Sequence, residues 1–301
     1  RKESSAASDV YKRQDLLNTD FLFFSHFHMD HIAGFDSYFR ALFNRENKQN
    51  VIYGPPESAD ILQHRFQAYA WNLCADYQVS WFVKEIHQDK IITYRFELNE
   101  AFQTKYFVSE EEIENNVILA TKEFQIEAHS LNHQIPSIAY VVQESDKQNI
   151  DTQKVKQMGL PVGAWLQQVK NSTLSEVEIQ GKMYALEELR KEVLQTNKGQ
   201  NITYLTDFLW DEPTKELMKQ VLKEKDTVLC EAQYLHEDLE LAIKNFHTTV
   251  VQSAEIMKEA NIKQLILFHV SQRYSEEQCI ELLEEAREIF PQTDFPKGWS
   301  L

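Results

Sequence analysis

Three things are scarce in this chain of 301 residues, and each scarcity excludes a class of protein. No stretch approaches the ~18 uninterrupted apolar residues of a membrane span, and the N-terminus has no apolar run of the secretory type. A cytoplasmic location and no membrane partner are therefore expected. Cysteine is rare: Cys74, Cys230 and Cys279 stand far apart without paired metal spacing, which excludes a disulfide framework and a thiolate zinc site. They read as small buried hydrophobes. Positive charge is short as well, the formal net charge being −16, so a chain-wide attraction to phosphate backbones is excluded and any nucleic-acid contact must be local. One local exception exists. From Lys147 to Lys170 four lysines, Lys147, Lys154, Lys156 and Lys170, stand against one acid, Asp151, a balance of +3.

The chain is 43% hydrophobic, enough for one large domain or two small ones with a substantial core. Residues 1–14 are polar and aperiodic, and a segment that enters a buried strand follows at once. Residues 9–14 look like the translation of a transposon-end adapter from sequencing libraries. They are expected to be a non-native or disordered tail, the native sequence starting near Asp15 with its first strands missing. Beyond the tail, residues 21–24 read as a strand buried on both faces and 32–43 as a helix. Then 51–53 reads as a strand stopped by Gly54-Pro-Pro56, and 58–71 as a helix. The aromatic stretch 69–82 is expected to be core. Alternation predicts strands at 91–96, 117–121 and 138–142. In the second half, short strands at 203–205, 227–230 and 264–268 alternate with helices at 212–224 and 248–260, so sheets covered by helices are expected.

Ser25-His-Phe-His-Met-Asp-His31 carries the strongest chemical signal. Extended backbone puts alternate side chains on one side, so His26 and His28 can grip one cation; Asp30 and His31, where the chain turns into the helix, can grip a second. Chance would produce this pattern in roughly one such chain per thousand. Two imidazoles do not complete a tetrahedral site, so further donors must converge from elsewhere. Candidates at strand ends are His133, Asp207 after Tyr204-Leu-Thr206, and His269 after Leu265-Ile-Leu-Phe268. His64, His87, His129 and His236 match no motif and read as structural or surface residues.

The ordered set HxHxDH, lone His, lone Asp after a strand and final His resembles the metallo-β-lactamase superfamily. More narrowly, the chain resembles its ribonuclease Z family. The matching segments are His133-Gln-Ile-Pro-Ser-Ile-Ala-Tyr140, Gly159-Leu-Pro-Val-Gly-Ala-Trp-Leu166, Glu231-Ala232, His247-Thr-Thr249 and His269-Val-Ser-Gln-Arg-Tyr274, in family order. The resemblance implies an α/β fold, the αβ/βα four-layer sandwich of two mixed sheets flanked by helices. Residues 15–301 would form a single such domain lacking its N-terminal strands, with a substrate arm inserted at about 147–182. It implies a dinuclear hydrolase that cleaves tRNA precursors at the 3′ side with a hydroxide activated between two metals, and a homodimer. One zinc would be held by His26, His28, His133 and Asp207, the other by Asp30, His31, His269 and the same Asp207; manganese or iron would suit these donors too. Asp30 would orient the hydroxide, and His247, supported by Glu231, would donate the proton to the leaving oxygen. Lys154, Lys156, Gly159, Gly163 and Lys170 in the arm, with Ser271 and Arg273, would bind substrate. Gly/Pro spacing at 159–163 independently reads as a loop or protruding arm.

The chain departs from the family pattern at Met29, Ala139 and Thr206, where glycine is usual. It departs again at Ala164, where proline is usual, and at Gln233-Tyr234, where Thr-Phe is usual. No ligand is lost, but the pocket walls change. Hydrolysis of a small ester, thioester or cyclic phosphodiester is thus the alternative reading, and an inactive truncated fragment a third.

Overall fold

The computed structural model describes residues 14–298; the reading of the first residues as a foreign tail falls almost wholly on residues 1–13, outside the described residues. The described residues divide into two compact units: residues 14–120, 126–142 and 202–298, and residues 121–125 with 143–201.

Two sheets make the larger unit. The first has the order β1 (Phe21–Phe23), β2 (Asn50–Gly54), β3 (Ser80–Ile86), β4 (Lys90–Glu97), β5 (Tyr106–Glu112). Its first three strands run parallel and the rest antiparallel. Phe35, Phe39 and Leu42 of helix Phe35–Leu42 and Leu62 and Phe66 of helix Ser58–Gln67 recur at three- and four-residue spacing. They bury against Ile52, Trp81, Val83 and Phe96 of the sheet.

The second sheet is built from β6 (Val117–Ala120), β7 (Phe124–His133), β8 (Ile135–Glu144), β13 (Asn201–Leu205), β14 (Thr227–Glu231), β15 (Gln264–Phe268) and β16 (Thr293–Asp294), in the order β16-β15-β14-β13-β8-β7-β6. β13 to β16 are parallel. Leu205, Val228, Cys230, Leu265 and Leu267 alternate onto one face. There they meet Met218, Val250, Ala254, Met257, Leu282 and Ala286 from helices Glu212–Val221, Val250–Glu259 and Glu276–Ile289. Between the sheets, the Tyr140 hydroxyl donates to the Phe24 carbonyl at 2.7 Å, the Ile138 amide donates to the Ser25 carbonyl at 3.0 Å, and Phe23 packs edge-on against Tyr140. These contacts pin the chain leaving β1, and so the histidine cluster, to one edge of the sandwich.

Several elements differ from the sequence reading. Helix Ser58–Gln67 stops short of 71 because the Trp71 indole donates to the Phe66 carbonyl at 2.8 Å and folds the chain back. The 69–82 stretch is core only in part: Trp81 is fully buried while Leu73 is 82% exposed. Helix Glu276–Ile289 was not anticipated, although its Ser275/Gln278 capping box is written in the sequence.

The smaller unit has its own core of Val155, Trp165, Val169, Val177, Ile179, Leu186, Leu189 and Val193. β9 (Lys147–Ile150) pairs antiparallel with β12 (Leu194–Asn197), and β10 (Glu176–Ile179) with β11 (Lys182–Ala185). The second hairpin turns through Gln180 and Gly181, both at positive φ, as a two-residue turn requires. Helices Thr152–Gln157, Trp165–Asn171 and Leu186–Val193 complete it.

Candidate metal centre

Four strand ends meet at one edge of the larger unit. Past β1 the backbone stays extended to His28, which caps the short helix Met29–Ile32; the helical turn then swings Asp30 and His31 round to the same side. His133 ends β7. Asp207 and His269 follow the parallel strands β13 and β15, which deliver their carboxyl ends to a common edge. Both sit in the left-handed region, at φ 48° and 57°, where a side chain with a Cβ is held only when its surroundings fix it.

The structure thus gathers all seven side chains that the sequence singled out as metal donors. Asp207 Oδ2 lies 3.4 Å from His26 Nε2, 3.2 Å from His31 Nε2 and 3.6 Å from His133 Nε2. On one side His133 Nε2 is 3.2 Å from His28 Nδ1. On the other, His269 Nε2 is 3.1 Å from His31 Nε2 and 3.4 Å from Asp30 Oδ2. Two donor sets result, His26–His28–His133–Asp207 and Asp30–His31–His269, and within each the ligand atoms lie within 4.8 Å of one another.

Donor chemistry fits divalent cations. A tetrahedral shell with bonds of about 2.0–2.1 Å separates neighbouring donors by about 3.3 Å, the spacing seen here. His26 is wholly buried, yet its Nε2 has no hydrogen-bond partner, an orphan that bound metal would satisfy. His133 shows how its lone pair is aimed: Nδ1–H donates to the Phe246 carbonyl at 2.8 Å, which leaves Nε2 unprotonated and facing the cluster.

Ionisation states agree with this. Burial pulls His133 down to about 4 and also lowers His28 and His269, so these rings are neutral donors at pH 7. Burial alone would push the Asp207 carboxyl up, but the His26 and His31 imidazoles outweigh it and hold it far below the ordinary carboxylate value. Asp30 is lowered despite partial burial, chiefly by His31. Burial opposes charge on His31, yet Asp207 beside it raises its pKa.

Beside the cluster lies a second pair. The fully buried Glu231, at the end of β14, accepts from the Phe208 amide and from His247 Nδ1, each at 2.7 Å. Burial pushes Glu231 up to about 7; it would also lower His247, but the Glu231 carboxylate overrides it and raises that imidazole. The pair therefore holds a proton near neutrality. His247 faces His133 and His269 across a cavity of about 440 Å³, which Asp30 and Asp207 also line.

Of the cavity's rim, sequence reasoning named Gln233 as a changed pocket wall but did not single out Gln134, Lys244 and Asn245. Chain adjacency to His133, Glu231 and His247 was the available signal. Ser271 and Arg273 do not line this cavity; the Ser271 amide donates to the Gln233 carbonyl and Arg273 pairs with Asp238 at 3.5 Å. Lys154, Lys156 and Lys170 are exposed in the smaller unit, and Gly159 there takes φ +68°, the left-handed turn glycine permits.

No protein-family model matches the chain. Solved structures match its fold. The metallo-β-lactamase fold protein YhfI from Bacillus subtilis aligns over 99% of this chain and 83% of its own, with TM-score 0.54 and 14% identity. A long form ribonuclease Z from yeast aligns over 89% of this chain and 30% of its own, with TM-score 0.50 and 12% identity. Two mixed sheets between helices, with a His/Asp cluster at one edge, define a metallo-β-lactamase-fold protein. Sequence narrows this further. A ribonuclease Z of Deinococcus radiodurans is 37% identical over 291 residues, 97% of this chain and 87% of that protein. One from Oceanobacillus iheyensis is 29% identical over 286 residues, 93% and 80% of the two chains. The chain belongs to the ribonuclease Z family, a family of metal-dependent hydrolytic endonucleases.

Proposed function

We propose that this chain is an endoribonuclease that hydrolyses tRNA precursors on the 3′ side, working as a cytoplasmic homodimer with two divalent cations, zinc first among them and manganese or iron as substitutes. One observation carries the reading: Asp207 Oδ2 lies within 3.6 Å of ring nitrogens of His26, His31 and His133, so one carboxylate touches donors of both sets. His26, His28 and His133 would hold one ion, Asp30, His31 and His269 the other, with Asp207 common to both. Bound there, the cations supply Lewis-acid polarisation of the phosphoryl oxygens and a water of lowered pKa.

The chain's own groups supply the rest. Asp30, its carboxylate 68% exposed toward the cavity, accepts a hydrogen bond from the attacking water and orients it. As the water oxygen bonds to phosphorus and gives up one proton to the Asp30 carboxylate, the opposite P–O bond breaks and its electron pair goes to the leaving oxygen. His247 carries the proton that oxygen needs. Glu231 holds its Nδ1–H, which leaves the Nε2 proton free to be transferred. In the smaller unit, Lys154, Lys156 and Lys170 and the loop from Gly159 to Gly163 would grip substrate phosphates, supported by a cleft of about 570 Å³ beside Lys156, Gly159 and Val162. Ser271 and Arg273 would add contacts beyond the cavity.

The test is cleavage of a precursor tRNA by the full chain. Removal at the 3′ trailer should stop with a chelator and return with zinc or manganese. His28→Ala or Asp30→Ala should lower kcat at least about 10³-fold with an unchanged circular dichroism spectrum. Full activity in either variant would sink the reading.

A further inference from the structure

Lys244 is the single lysine or arginine among the described residues that lines the cavity over the candidate metal centre, and the hydrolysis derived above leaves it without a task. It stands in the last turn of helix Leu239–Asn245. That helix ends sharply: Phe246 takes φ 60°, its amide donates to the Ile243 carbonyl, and the His247 amide donates to the Ala242 carbonyl at 2.9 Å. The left-handed corner gives neighbouring residues separate duties on one cavity. Phe246 offers its carbonyl to His133 Nδ1, His247 meets Glu231, and Lys244 reaches the rim.

A lysine near a helix C-terminus is commonly no more than a solvated charge favoured by the helix dipole. The other last-turn lysines divide: Lys191 and Lys219 each pair with a glutamate three or four residues earlier, both at 2.9 Å, whereas Lys258, with Glu255 three residues earlier, has no ion-pair partner among the described residues. What sets Lys244 apart is its place on the cavity. Lys244 has Glu240 at the same spacing, yet among the described residues it has no ion-pair partner. Around it the rim is neutral amide, Gln134, Gln233 and Asn245, and Asn245 is itself engaged with the Tyr234 hydroxyl. The cavity carboxylates Asp30 and Asp207 are committed to the imidazole cluster. An unneutralised ammonium on an amide rim, in a chain of net charge −16, is suited to a phosphate that arrives with the substrate.

We infer that Lys244 is a specificity-determining residue that holds a backbone phosphate flanking the scissile one, so that the site favours an RNA chain over a diester with a single phosphate. The inference rests on the endoribonuclease reading. A lysine that neutralises one phosphate contributes a little under one unit to the dependence of log affinity on log salt. A structural lysine contributes none.

The experiment compares the full metal-loaded chain with Lys244→Ala, Lys244→Arg and, as a control outside the cavity, Lys258→Ala. Each is assayed on precursor tRNA and on bis(4-nitrophenyl) phosphate across a salt series. Lys244→Ala should raise KM for RNA about tenfold, the scale of one charge-assisted hydrogen bond. The loss should fall in KM rather than kcat, be larger for RNA than for the small diester, and flatten the salt slope by about one unit. Lys244→Arg should recover most of it, and Lys258→Ala should match the parent chain. RNA cleavage by Lys244→Ala with unchanged KM and salt slope overturns this inference alone. A parent chain that hydrolyses the small diester but no RNA overturns the endoribonuclease reading and this inference with it.

Discussion

The two units of this chain spend their sequence differently. In the larger one, the edge that holds the cluster combines buried charge with left-handed backbone: Asp207 and Glu231 are almost entirely buried, and Asp207, Phe246 and His269 all sit at positive φ. In the smaller one the buried core is wholly apolar, and its lysines stand in solvent. Such a difference teaches where chemistry and where mere binding can reside. Buried titratable groups with fixed partners can do proton and metal chemistry, whereas exposed lysines can only attract and position.

Four substitutions can break or sharpen that contrast, beginning with the most damaging. Asp207→Ala removes the carboxylate common to both donor sets, so bound metal should fall below one ion per chain and turnover at least about 10³-fold. His269→Ala, which touches one set only, should retain one ion; equal metal content in the two variants would refute the sharing. Next, Glu231→Gln should cost about 10- to 100-fold in kcat and move the pH profile. His247 must be protonated to donate, so activity declines as pH rises through its pKa. Glu231 holds that pKa above the ordinary histidine value in spite of burial, and losing the carboxylate should bring the decline to lower pH. An alkaline limb of kcat/KM that stays in place would remove His247 from the acid role. The mildest change lies in the other unit. Trp165→Ala empties much of its core and should destabilise that unit by about 3–5 kcal/mol. Precursor tRNA cleavage should weaken severalfold while hydrolysis of a small diester continues, as parallel assays would show.

How much of this was readable beforehand follows from the range over which each residue acts. The Ser25–His31 loop is local, so spacing alone placed its four donors on one turn. His133, Asp207 and His269 could be nominated because each ends a strand. What the chain order could not say was that the ends of β7, β13 and β15 would converge until His133 and His269 came within 3.6 Å of Asp207. The carbonyl of Phe246 was invisible for a different reason: a backbone atom has no residue type to betray it. β5 escaped notice because Tyr106–Glu112 ends in a run of glutamates that suits a solvated edge strand and resembles a loop in composition. The stretch at about 147–182 read as a loop-like arm, since the short helices and hairpins there bury few apolar residues each and only together make a core.

Asp207 and His269 hold dihedral angles that glycine would adopt freely and that cost other residues on the order of 1–3 kcal/mol each. A version of this molecule chosen for heat tolerance alone would surrender these two positions first. Catalysis and durability thus compete for the same two backbone positions, and any programme to harden the enzyme has to find its gains elsewhere.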